Sequence, residues 1–398
     1  MTDPTQDPRF LQDPYPAYAA MRATCPVQPM PTGSTGPAGS GKHSSYVVTG
    51  YAEAREALAD ARLSKDTAAF FAGKASRRRL HPAVAHNMLA GDPPQHTRLR
   101  KLVTKAFTTG AVKELRPFIA RVTDELLDQW PSDEQFDFVA GLAVPLPVSV
   151  ICELLGVPEA DRADVRRWSA ELFAAGEPDV IDAASHALAE YMTGLIAAKR
   201  LEPGSSLLDR LISARDGGDQ LSEEELVSLA VLLLVAGHET TTNFLGNAVL
   251  ALLQHPAELN RLRGNPDEVP AVLDELLRYE SPVSTATFRF TTEDLTLGGT
   301  GIPAGVPVHV SLGAANRDPE RFPAPDLLDL DRDASAHLSF GHGIHRCVGA
   351  PLARAEAEIA LRAVLARFPG IRLAVPPDQL TWRRTRLVRG LASLPVLA

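Results

Sequence analysis

The densest chemistry in the chain lies in Phe340-Gly341-His342-Gly343-Ile344-His345-Arg346-Cys347-Val348-Gly349. Glycines bracket Cys347, and Ala350-Pro351-Leu352-Ala353-Arg354 then opens a helical run reaching Phe368. Such a loop delivers a sulfur to a helix N-terminus, where free N–H groups and the helix dipole favour a thiolate. Gly343 and Gly349 would let a flat ligand approach the backbone closely, and Phe340 would shield the sulfur from water. A lone cysteine is commonly just a small buried hydrophobe, but that reading leaves the glycines without a purpose. Cys25 precedes a proline and Cys152 sits in an apolar helical run, so neither shares this setting.

A second locus is Ala236-Gly237-His238-Glu239-Thr240-Thr241, inside a long apolar run. Glycine in a helix interior costs about 1 kcal/mol against alanine, and threonine can bond back to a preceding carbonyl and bend the helix. Two readings stand side by side. The glycine serves a close helix contact beside a solvated glutamate, or the missing side chain opens a groove for a ligand beside an acid and a hydroxyl.

These segments resemble the cytochrome P-450 superfamily. The cysteine run matches its haem-binding signature, Phe-x-x-Gly-x-x-x-Cys-x-Gly. Glu275-Leu276-Leu277-Arg278 matches its Glu-x-x-Arg helix motif, and Pro319-Glu320-Arg321-Phe322 the segment that completes a structural triad of Glu275, Arg278 and Arg321. Ala236 to Thr240 matches its oxygen-groove motif, and Asp92-Pro93-Pro94-Gln95-His96-Thr97-Arg98-Leu99-Arg100 is similar to its haem-edge helix. The motifs keep the family order from about residue 13 to the C-terminus. The likeness is strongest to soluble actinobacterial enzymes that hydroxylate macrolides, other polyketides and sterol-like molecules.

The resemblance implies a mainly α fold with small β-sheets, with haem b between a long central helix and the cysteine loop. Cys347 would be the axial thiolate on iron, whose electron push favours O–O cleavage. Phe340, Gly341 and Gly349 would shape its loop. His96, Arg100, Arg289 and His345 would hold the two haem propionates, for which arginine's fork is well suited. Ala236 and Gly237 would floor the oxygen groove, Thr240 would offer a hydrogen bond there, and Glu239 would relay protons from solvent. Substrate walls are expected at Asn87, Met88 and Leu89, at Leu232 and Leu233, at Val283 and Thr285, and at Leu387 and Val388. These residues are mostly aliphatic or small, which suits a large apolar substrate and equally a plain core.

The implied reaction inserts one atom of O2 into a C–H or C=C bond. Electrons would come from NAD(P)H through a separate ferredoxin and its reductase, because no dinucleotide-binding Gly-x-Gly-x-x-Gly follows a strand. An acidic ferredoxin would dock on the cysteine side, near Arg98, Lys101, Lys105, Arg346 or Arg354. A peroxide-driven or O2-independent haem-thiolate enzyme, or a haem sensor without turnover, is the alternative. The intact Glu239-Thr240 pair favours the monooxygenase.

The elements that must position these groups follow from periodicity. Ser222 and Glu225 form a capping box that starts a helix near Glu223, and Pro256 ends it, giving about 32 residues or roughly 48 Å. Tyr15–Arg22, Ala52–Ala59, Pro117–Trp130 and Asp161–Phe173 read as helices, with Pro117 in a first turn where its missing N–H is harmless. Ser45–Thr49 reads as a strand, with short strands in Arg289–Ile302, Val306–Leu312 and Gln379–Leu397. Gly33–Ser45 is Gly/Ser-rich and reads as a flexible loop, and residues 1–12 are expected to be flexible too. The whole chain, 1–398, reads as one domain.

Composition narrows the alternatives. Of 398 residues 45% are hydrophobic and 22% charged, which is globular. With 40 Lys+Arg against 49 Asp+Glu the net charge is −9, which argues against a nucleic-acid partner. Three dispersed cysteines argue against a disulfide scaffold or a zinc ribbon. The N-terminus has neither the basic nor the apolar stretch of a signal peptide. The apolar run Leu226–Gln254 carries polar residues at mid-span, so it reads as a buried helix and not a membrane anchor. A cytoplasmic monomer is expected.

Overall fold

The capping box at Ser222 is formed. Ser222 Oγ accepts from the Glu225 N–H at 3.1 Å, and Glu225 Oε2 accepts from the Ser222 N–H at 3.0 Å. The helix it opens runs Glu223–Gln254, 32 residues. In this computed structural model, which describes residues 8–30, 45–73, 78–104, 107–131, 134–173, 178–216, 221–385 and 387–398, that central helix is the axis of the fold. It packs against helices Pro82–Ala85, Pro145–Leu155, Pro178–Leu201, Val269–Tyr279 and Ala350–Arg367. It is long and apolar enough to cross a membrane, yet 72% of its apolar window is buried against protein. Leu232, Val235, Ala236 and Thr240 form a stripe left accessible, at the spacing of one helix face. That stripe faces the cavity described below.

The β-structure is small. Val27–Met30 pairs antiparallel with Ser45–Val48, which pairs in parallel with Val308–Val310. Pro395–Leu397 lies between Gln135–Asp137 and Arg372–Leu373. Leu295–Leu297 and Thr300–Ile302 close a hairpin through Gly298 and Gly299, both at positive φ, as such a tight turn demands. One large apolar core surrounds the central helix, and a smaller one lies under the first sheet. The fold is mainly α with small sheets, in a single domain.

Several expectations shift. The helix expected over Pro117–Trp130 spans Thr109–Leu127 and begins at Thr108, whose Oγ1 accepts from the Ala111 N–H at 3.3 Å. Pro117 is therefore inside it. Pro117 and Lys113 are exposed, so the Lys113 carbonyl that loses its partner faces water. Among the described residues of the C-terminal stretch only Pro395–Leu397 is a strand, with isolated bridges Val283↔Val388 and Trp382↔Leu391. Residues 8–12, expected to be flexible, form the helix Pro8–Gln12, with Phe10 edge-on to Tyr18 at 5.3 Å. The remaining N-terminal residues, the loop at 33–44 and Lys105 lie outside the described residues.

Candidate active site

A cavity of about 540 Å³ lies between the central helix and the cysteine loop. Of the three cysteines only Cys347 lines it. Its loop is held by the Cys347 N–H donating to Phe340 O at 2.8 Å. Gly343 sits at φ +72°, and a Cβ there would stand 2.7 Å from Leu58 O, so only glycine fits this turn. Burial raises the Cys347 thiol, while the N–H groups of Gly349 and Ala350 and the charge of Arg100 pull it back down. A metal ion at the sulfur would remove the proton outright. Cys152, by contrast, is pushed up to about 12 by burial, with no such donors.

One rim of the cavity gathers positive charge. His96, on the helix Gln95–Thr104, is buried and does not itself line the cavity; its ring centroid lies 4.1 Å from that of the lining residue His345, with the planes tilted by 44°. Arg100 donates to the Arg346 carbonyl and lines the cavity, as does Arg289, which donates to Thr287 O at 2.9 Å. Lys65 joins them, buried, with its ammonium on the Thr287 hydroxyl. No local motif marks it: a lysine before Asp66 reads as a solvated loop charge. Burial lowers Lys65 well below the usual lysine range, with Arg289 adding to the effect, and lowers Arg289 to about 10. Burial and these same cations hold His345 down at about 2, so its imidazole is neutral. Asp92 is the acid that opposes them.

Burying several cations beside one acid is costly unless an anion joins them. Both ring nitrogens of His96 and of His345 are buried and find no hydrogen-bond partner among the described residues. This rim fits a ligand that brings carboxylates, and the Cys347 sulfur fits a metal centre. Haem, with two propionates and one iron, satisfies both.

On the other face, Glu239 is buried and ion-paired with Arg383, which is partly exposed. Arg383 was not expected here; it comes from the C-terminal stretch that read as strand. Thr240 Oγ1 makes only a long bond, 3.4 Å, to Ala236 O. At Gly237 the close helix contact accounts for the missing side chain, although the neighbouring Glu239 is buried and not solvated. Its backbone lines the cavity, while a Cβ would stand 2.6 Å from Ile151 Cδ1 on the helix Pro145–Leu155. Asn87, Met88, Leu89, Leu232, Leu233, Val283, Leu387 and Val388 all line the cavity. Thr285 does not. It bridges to Ser311, and Ala286 and Thr287 line the wall instead.

Below the site, Arg278 is fully buried and donates to both carboxylate oxygens of Glu275, at 2.6 and 2.8 Å. The third member of this cluster is Arg332, whose Nε reaches Glu275 Oε1 at 3.3 Å. Arg321, expected there, lies over the rings of Tyr51 and Phe322 instead. In the turn after Asp318 it is Phe322 that takes the inward position.

Glu356 also lines the cavity, and its Oε2 has no partner among the described residues. Burial raises its carboxyl well above the usual range. A raised native value means that the unfolded chain ionises first, so stability falls as pH climbs past the ordinary glutamate range. Glu356→Gln should therefore raise the thermal midpoint near pH 8 and leave it unchanged near pH 4. An equal effect at both pH values in thermal unfolding would contradict this.

Comparison with known proteins agrees with the geometry. The cytochrome P450 family model matches residues 180–389. Cytochrome P450 107B1 of Saccharopolyspora erythraea is 47% identical over 98% of this chain and 96% of its own. The vitamin D(3) 25-hydroxylase of Pseudonocardia autotrophica is 46% identical over 97% and 94%. The tirandamycin C-bound P450 monooxygenase TamI is 45% identical and superposes with a TM-score of 0.90 over 98% of each chain. A cysteine facing a cation-rimmed cavity on this helical frame, matched from end to end by such relatives, means that the chain belongs to the cytochrome P450 superfamily and is a P450 monooxygenase.

Proposed function

We propose that the chain hydroxylates or epoxidises a large apolar molecule of macrolide, polyketide or sterol-like type, with electrons from a separate ferredoxin and reductase. The observation that carries this is the cavity wall, aliphatic at Met88, Leu89, Leu232, Leu233, Val283 and Val388. Relatives of similar sequence support it, one a vitamin D(3) 25-hydroxylase and one captured with tirandamycin C. When bound, a thiolate-ligated haem supplies the activation of dioxygen that the side chains cannot.

The chain's own residues supply the rest. Cys347 Sγ would ligate iron, and the N–H groups of Gly349 and Ala350 would hold its negative charge. Lys65, Arg100, Arg289 and the two imidazoles would bind the propionates. The apolar wall excludes water and orients the substrate. Thr240 Oγ1 offers a hydroxyl to the cavity. Glu239 lines the same cavity and pairs with the partly exposed Arg383, and its carboxylate would relay protons toward Thr240. Titrating the purified holoenzyme with vitamin D3 and with macrolide aglycones tests the substrate class. A low-to-high-spin shift is expected with one of these, and no shift with any would overturn the assignment.

Thr240→Ala should leave substrate binding intact and release a larger share of electrons as hydrogen peroxide. Peroxide measured per electron pair checks this, and unchanged coupling would contradict it. Of the cations expected to meet a ferredoxin, Arg98 is paired with Glu225 and Arg354 with Asp274, whereas Lys101 and Arg346 are exposed. Charge reversal at Lys101 and Arg346 should slow reduction by an acidic ferredoxin, most at low salt. Stopped-flow rates indifferent to both changes would rule out this docking face.

A further inference from the structure

The substrate wall at Leu387-Val388 belongs to no regular strand or helix, so its position depends on its neighbours. On the inner side it is stapled to the facing segment. Ser284 N and Thr285 N both donate to Leu387 O, at 3.0 and 3.3 Å, and Arg389 N donates to Pro282 O at 2.9 Å. The central helix adds Asn247 Nδ2 to Arg389 O at 2.9 Å.

The Arg389 side chain turns the other way, out of the cavity. Its guanidinium donates to Leu11 O at 2.9 Å and Gln12 O at 2.8 Å, and pairs through Nε with Glu280. It lies 3.6 Å over the ring of Trp382. Tyr15 Oη donates to the same Glu280 oxygen at 2.6 Å, and Arg317 sits 4.0 Å over both Tyr15 and Tyr279. One buried residue thus joins the cavity wall to the start of the chain.

We propose that Arg389, Glu280 and Tyr15 are positioning residues for the substrate wall, with the segment Leu11–Tyr15 as its outer clamp. None of them touches the cavity through its side chain, yet together they fix where Leu387 and Val388 stand. Arginine is required because a single planar fork reaches two carbonyls and a carboxylate at once, which a lysine cannot do. The proposal rests on the reading that this cavity receives the substrate.

The test uses holoenzyme carrying Arg389→Lys, which keeps the buried charge, or Tyr15→Phe, which loses one hydroxyl. Two probes are titrated by their Soret shift. Imidazole needs only the iron, while econazole, an imidazole with bulky apolar arms, also needs the wall. For Arg389→Lys the ratio of econazole Kd to imidazole Kd should rise about tenfold, with imidazole itself within about twofold. Amide exchange at Ser284 and Thr285 should quicken in both variants. An unchanged ratio in both variants overturns the proposal, whatever the exchange shows. Failure of the parent protein to bind imidazole would instead overturn the haem reading, and the clamp would then stand or fall on exchange at Ser284 and Thr285.

Discussion

Arg278→Ala is expected to cost about 3–5 kcal/mol of folding stability, because it leaves the buried Glu275 carboxylate with only the longer contact to Arg332 and one N–H, and three carbonyls without their donor. Every polar arm of Arg278 is engaged. It meets Glu275 twice and the carbonyls of Asn316, Pro325 and Leu327 at 3.0, 2.8 and 3.2 Å. These carbonyls belong to the loop that leads from the first sheet toward the cysteine, so the loss would spread to the thiolate side. Arg332→Ala should cost less, since Glu275 would keep Arg278 and the Asp329 N–H at 3.0 Å. Arg321→Ala should cost no more than about 1 kcal/mol, the worth of a part-exposed contact over two rings. Urea midpoints of the three variants at equal haem loading decide the order. If Arg321→Ala proved as damaging as Arg278→Ala while Arg332→Ala proved harmless, Arg321 and not Arg332 would be the third member of the cluster.

Arg289→Leu carries the second large effect, and its sign reverses with haem. A hydrogen bond to a charged partner contributes about 1.5–3 kcal/mol. Losing one propionate contact should weaken haem affinity by roughly ten- to a hundredfold. The haem-free protein should respond in the opposite direction. Arg289 is buried beside Lys65 and His345, and burial already lowers its affinity for its proton to about 10. Removing that cation relieves crowding that Asp92 only partly offsets until haem binds, so the apoprotein should melt higher. Lys65→Met should act in the same direction on both counts. The two effects need not add, because the residues share one rim. Haem loss to an apo-globin acceptor and the melting of haem-free protein read the two halves separately. Haem loss at the parent rate would show that Arg289 does not hold a propionate.

Much of the site was legible because it is written in local spacing. The capping box and Pro256 bracket the central helix, and the bounds Glu223–Gln254 follow from them. Cys347 with its glycines, and Glu275 with Arg278 one helical turn on, are likewise local patterns. What stayed hidden depends on distant partners. Lys65 gains its role only because Arg289 and His345 fold over it. Arg383 meets Glu239 across 144 residues of chain. Arg332 stands between Asp331 and Asp333 and so reads as part of a solvated charge run, while Arg321 sits inside a recognisable motif. Pro117 misled for the opposite reason. A strong local rule placed it in a first turn, but the weaker signal at Thr108 governs, and an exposed helix face tolerates the lost bond.

The most direct test of the account is the absorption spectrum of the purified protein, reduced and exposed to carbon monoxide. A strongly red-shifted Soret band is expected, the mark of a thiolate-ligated iron, and hence Cys347 as the ligand. A band at the position expected for histidine or a protonated thiol, or no haem band at all, would contradict it.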